Sequence, residues 1–156
     1  MELVAGRLQI KVTPLAEGVI RLAAPDTYNR LHGMVASRSE RIRQLAQQNG
    51  IRGEPKVFLV SFFTYDLQVP YDPSALQLIN QGILFFQRGI IALTPEWGRQ
   101  QAKQQQVQSA LYLFDSAINL EVQTEVQYEN ARNLDWARII RVLQTERGRV
   151  VSRAKG

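Results

Sequence analysis

Residues 120–128 read LEVQTEVQY, an almost unbroken alternation. Leu120, Val122, Thr124, Val126 and Tyr128 share one face, and Glu121, Gln123, Glu125 and Gln127 share the other. A period of two with one apolar and one polar face is the pattern of a half-buried antiparallel strand. This stretch closes a series of short strands and turns that begins at Pro55. Lys56–Thr64 (KVFLVSFFT) is apolar on both faces, as suits a central strand covered on both sides. Val69 to Pro73 reads as a connector, because proline cannot serve a central ladder. Ala75–Asn80 and Ile83–Gln87 flank Gln81-Gly82 and read as a hairpin. Ile90–Thr94 and Val107–Phe114 read as further strands, separated by the polar, aperiodic residues 96–106.

Working outward from this centre, Gly6–Thr13 alternates, and Gly18–Ala23 reads as a second early strand after the turn at Pro14. Pro25-Asp26-Thr27 opens a helix in which Tyr28, Leu31, Val35, Ile42 and Leu45 recur at helical spacing, and Asn49-Gly50 stops it. A final helix starts near Asn133 or Asp135, with Trp136, Ile139, Ile140, Leu143 and Val150 as its apolar stripe. Strands in the middle and helices early and late indicate α+β, mainly β. Seven or eight short strands suggest an immunoglobulin-like antiparallel β-sandwich. The expected single domain has a body over about 6–23 and 55–128, an inserted helix over about 26–48 and a basic C-terminal helix over about 133–152.

The chain has 156 residues and no cysteine, which excludes disulfides and thiolate chemistry. No apolar run approaches the roughly 20 residues that cross a bilayer, and Met1-Glu2-Leu3 does not open a signal peptide. The net charge of +5 lies entirely in residues 132–156, which carry seven basic and two acidic groups. Residues 1–131 carry twelve of each and are neutral. In the basic segment Arg138, Arg141, Arg147, Arg149 and Arg153 are candidates to meet an acidic protein surface or anionic lipid headgroups. Nucleic acid would want interleaved aromatics, and Trp136 is the segment's one aromatic, so nucleic acid is not expected.

The catalytic inventory is thin. His32 is the one histidine, so any triad or imidazole-based metal site would have to be built around it. Glu121 and Glu125 lie on one strand face about 13–14 Å apart at Cα, wide for a glycosidase pair. A carboxylate hydrolase would need two of Asp66, Asp72, Asp115, Glu121 and Glu125 to converge. No phosphate-binding glycine motif occurs. No catalytic residue, cofactor or metal is therefore expected. The bulky groups point elsewhere. Phe62-Phe63 and Phe85-Phe86 each send one ring to either side of a strand, which makes Phe63, Phe86 and the loop residue Trp97 candidate partner-binding positions. Alternatively Trp97, Tyr65 and Tyr71 form a stacking platform for a small ligand or carbohydrate.

The segments VFLVSFFT (57–64), LTPEWG (93–98) and ALYLFD (110–115) resemble an uncharacterised family of bacterial exported or membrane-extrinsic β-sandwich proteins. They are core and turn patterns spread over the central half of the chain. The resemblance implies a non-enzymatic extrinsic subunit of a larger membrane assembly, such as one holding a photosynthetic reaction centre within its light-harvesting ring. It implies protein subunits as partners and a place at the periphery of a bacterial membrane; of the two sides, which the residues leave open, it favours the periplasmic one. It carries over no pigment ligand.

Overall fold

A computed structural model describes residues 2–133. The expected C-terminal helix, with Arg138, Arg141, Arg147, Arg149 and Arg153, lies outside the described residues.

The chain is mainly antiparallel β-sheet with a few helices. Strands β1 (Glu2–Ala5), β2 (Leu8–Pro14), β3 (Lys56–Phe63), β7 (Ile90–Ala92) and β9 (Gln108–Phe114) form one sheet in the order β1-β2-β3-β9-β7. Strands β5 (Leu76–Asn80), β6 (Ile83–Phe86), β10 (Thr124–Tyr128) and β11 (Ala131–Asn133) form a second in the order β11-β10-β5-β6. The short strands β4 (Gln68–Pro70) and β8 (Gln101–Lys103) pair with each other. Every pairing between these strands is antiparallel.

The alternation of the sequence decides what each face meets. Ile10, Val12, Phe58, Val60 and Phe62 of the first sheet share one apolar core with Leu76, Leu78, Val126 and Tyr128 of the second. The opposite face of the first sheet, with Leu111, Leu113, Val57 and Leu59, packs against Leu31 and Ile42 of helices α2 (Pro25–Ala36) and α3 (Ser39–Gln48). This is why β3 is apolar on both faces: sheet lies on one side of it and helix on the other.

Several expectations are corrected. Gly18–Ala23 is not a strand, because α1 (Glu17–Ile20) occupies it. Its apolar residues do not alternate. Ile20 and the buried Ala23-Ala24 pair stand three and four residues apart, and Ile20 is buried against the helices. The single helix over 26–48 is two helices broken at Ser37-Arg38. There Arg38 leaves helical geometry at φ −120°, and its N–H tightens onto the Val35 carbonyl three residues back. The strand expected from Leu120 begins only at Thr124. Asn119 turns the preceding residues, its side-chain oxygen accepting from the Glu121 N–H at 2.9 Å. Residues 69–73 and 96–106 are not mere connectors, since they supply β4 and β8; Pro70 is tolerated at a strand end. β11 runs to Asn133, the last described residue, and β1 lies before the expected start of the body.

The hairpin β5–β6 is as the sequence reads. Gln81 and Gly82 both have positive φ, at 54° and 75°. That is the handedness of the two-residue turn whose twist matches its flanking strands.

Candidate functional site

The sequence marks Phe86, and the structure brings three further residues to the same place. β6 is the terminal strand of its sheet, and no other described strand pairs with its outer edge. Its four residues, Ile-Leu-Phe-Phe, carry no charge. Phe85 packs on the shared core, so alternation sends Leu84 and Phe86 to the opposite face. The register sets Leu84 beside Ile79 and Phe86 beside Gln77 on that face. Phe86 is 54% exposed, Leu84 45% and Ile83 56%. A sheet edge normally carries lysine, proline or a bulge that discourages pairing. This strand carries none of them.

The polar neighbours of this face are internally satisfied. Arg132 reaches Glu125 at 3.5 Å, and Gln127 donates to the same carboxylate at 3.3 Å. The face thus grades from a neutralised polar half at β10 and β11 to a half at β5 and β6 that carries Ile79, Leu84 and Phe86 around Gln77.

Phe63 is half-buried on β3, its ring edge-on to that of the exposed Tyr65 at 5.9 Å between centroids. Phe62 pairs with Gln108, so Val107, half exposed, stands across from Phe63. Leu67, in the turn that follows β3, is exposed as well.

Trp97 is not on the surface. It is 8% exposed and packs among Phe62, Tyr71 and Tyr112. Tyr71 is buried as well and stacks on Phe62 at 4.5 Å. The platform of Trp97, Tyr65 and Tyr71 therefore does not form, since two of its rings fill the core. The ladder position of Phe62 explains this: its inward ring needs flat partners to cap the end of the core. Each buried hydroxyl has a partner. Tyr71 donates to the Trp97 carbonyl at 3.1 Å, Tyr112 donates to the Pro73 carbonyl at 2.6 Å, and Tyr128 accepts the Asp72 N–H at 2.8 Å.

Burial pushes the Tyr71 phenol up to about 12. Burial raises Tyr112 further, helped by neighbouring Tyr71, Tyr128 and Asp72. Burial also raises Tyr128, partly offset by the Asp72 N–H. In the unfolded chain these phenols ionise near about 10. Between those limits the unfolded chain has lost protons that the folded chain keeps. Their contribution to stability is thus present below about pH 10 and lost as pH rises toward about 12. Urea midpoints measured across that window are expected to fall, and to fall less steeply in Tyr71→Phe.

The remaining chemistry-bearing groups are spread out. Asp66 pairs with Arg7 and Asp115 with Arg88, while Asp72 accepts from the Ser74 N–H and Glu125 pairs with Arg132. His32 is exposed and stacks on Tyr28 at 5.4 Å. Tyr28 donates to Glu17; that bond holds the Glu17 carboxylate below its ordinary range and raises the Tyr28 phenol. His32 and Glu17 rim a cavity of about 320 Å³ whose walls include Leu15, Ile20 and Val57. The sequence does not show this grouping, because Gly18–Ala23 reads locally as a strand and not as α1. It also missed Ile83 and Leu84, whose exposure follows from the edge position of β6. A hairpin followed by a crossing into another sheet is the one signal that could have found it.

Among the described residues no three histidine or carboxylate side chains gather as metal ligands, and no helix is long and apolar enough to cross a membrane. Comparison of the chain with protein-family models, curated proteins and solved structures finds no match.

Proposed function

We propose that this chain is a non-enzymatic interaction module, a subunit of a larger assembly, and that it docks through the β6 edge and the face beside it. One observation carries the reading: an uncharged apolar edge strand stands exposed on a fold whose buried polar side chains are otherwise partnered. Exposed apolar surface of this kind marks interaction sites on soluble domains. The dispersal of the carboxylates among separate partners, and a histidine stacked on the surface, also favour binding over catalysis. The sandwich of immunoglobulin-like type enters this reading as two antiparallel sheets sharing one core. The place at a membrane periphery, and a reaction-centre–antenna assembly as the host, come from the sequence resemblance. In that setting the basic residues 132–156 would face acidic protein or anionic headgroups.

The test is the size of the particle that contains the chain in mild-detergent extracts of native membranes. The chain is expected to travel in a particle larger than itself, and Phe86→Lys is expected to release it. Recovery of the unmodified chain solely as a free monomer would overturn the proposal.

A further inference from the structure

The geometry points to a second copy of this chain as the occupant of the β6 edge, joined by antiparallel pairing of β6 with its twin about a two-fold axis. This rests on the docking role proposed for that edge.

The register of the hairpin decides which backbone groups are free. Asn80 and Ile83 flank the two-residue turn and form a closing pair. Hydrogen-bonded pairs alternate along an antiparallel ladder. Ile83 and Phe85 therefore spend their N–H and C=O groups on β5, while those of Leu84 and Phe86 point to the open edge. Opposed residues in a sheet must share a face, which restricts how β6 can meet itself. With Phe85 on the two-fold axis, Leu84 lies across from Phe86 of the other copy, and Phe86 across from its Leu84. All four edge residues then exchange both hydrogen bonds, four in total across the axis. Leu84 and Phe86 stack on their counterparts on the outer face, and the two sheets become one continuous sheet.

Charge favours this occupant. The paired strand is uncharged, so no like charges face each other. The flanking Arg88 is held by Asp115 at 3.3 Å and by the Asn49 carbonyl. Residues 1–131 carry equal numbers of basic and acidic groups, so the net repulsion between two copies comes from residues 132–156 alone. A twin also arrives with its edge already formed, whereas a flexible peptide would lose conformational freedom on pairing. The result is a closed, isologous contact that removes both open edges at once.

The purified chain, followed by light scattering on size exclusion over a wide concentration series, is expected to be a dimer. Phe86→Lys removes the same anchor from both copies and sets two ammonium groups near the axis. It is expected to weaken association by about a hundredfold or more, with an unchanged circular dichroism spectrum because the residue is exposed. Phe86→Pro deletes the edge N–H without touching the β5 ladder and is expected to act likewise. In a chain without cysteine, Leu84→Cys with Phe86→Cys is expected to give a covalent dimer on mild oxidation. A purified chain that stays monomeric throughout, or a dimer that both Phe86 variants leave intact, overturns the inference. The docking proposal is judged separately: a native particle that holds one copy and loses it on Phe86→Lys keeps that proposal while the twin pairing fails.

Discussion

Tyr112→Ala is expected to destabilise the fold by about 4 kcal/mol, within the range for truncating a buried aromatic. Tyr112 is fully buried at the centre of β9, between the flanking strands β3 and β7. Its ring meets the edge of Trp97 at 6.2 Å. Removing the ring leaves a cavity that the ladders on both sides cannot collapse into, so the loss combines transfer and void. The hydroxyl adds a separable part. It donates to the Pro73 carbonyl and so ties β9 to the short turn before β5. Tyr112→Phe keeps the ring and leaves that buried carbonyl unpaired, for an expected loss of about 1–2 kcal/mol. Urea denaturation of the three chains gives both figures. A Tyr112→Ala chain within about 1 kcal/mol of the parent would mean that this core is far more plastic than its packing indicates.

Asn80→Leu is expected to lose about 3 kcal/mol, because it breaks a buried polar network rather than a packing contact. Asn80 ends β5 and is 1% exposed. Its amide donates to the Asn119 carbonyl at 2.9 Å and to the Thr124 hydroxyl at 2.8 Å, and its oxygen accepts the Asn119 N–H at 3.0 Å. One side chain thus satisfies both backbone groups of Asn119 and fixes the point where β10 begins. Leucine fills the space but abandons two backbone groups and a hydroxyl. A double-mutant cycle with Thr124→Val reads the coupling directly. An interaction energy of about 1 kcal/mol or more is expected, and additivity would show that the hydroxyl contributes nothing to the network.

Much of the strand content was legible from residues 120–128 and their neighbours. Period-two alternation marks which side chains go inward, and the inward set of Thr124, Val126 and Tyr128 is buried as that alternation requires. KVFLVSFFT announced a strand covered on both faces, and the Gln81-Gly82 pair announced the tight hairpin, because both signals are local. Gly18–Ala23 was misread for the opposite reason. The β-branched pair Val19-Ile20 favours a strand by propensity, yet burial of Ile20 with Leu31 and Ile42 selects a helix. Trp97 looked like a loop residue open to a partner, and its neighbours in sequence are polar. Its ring is buried because Phe62, Tyr71 and Tyr112 converge there from three separate stretches.

The sequence alone determined that this protein is mainly antiparallel β with helices beside it, that its excess of positive charge lies in residues 132–156, and that it has one histidine and no thiol. These follow from side-chain chemistry and short-range periodicity, which need no partner to be read. Only the tertiary structure decided which apolar residues stay uncovered. Phe63 and Phe86 are equivalent by any local rule. One lies half-buried on the central strand of the first sheet, and the other lies exposed on a terminal strand with nothing described beyond it. Strand order is set by contacts between residues far apart in the chain, so the candidate docking edge became visible only once the sheets were assembled.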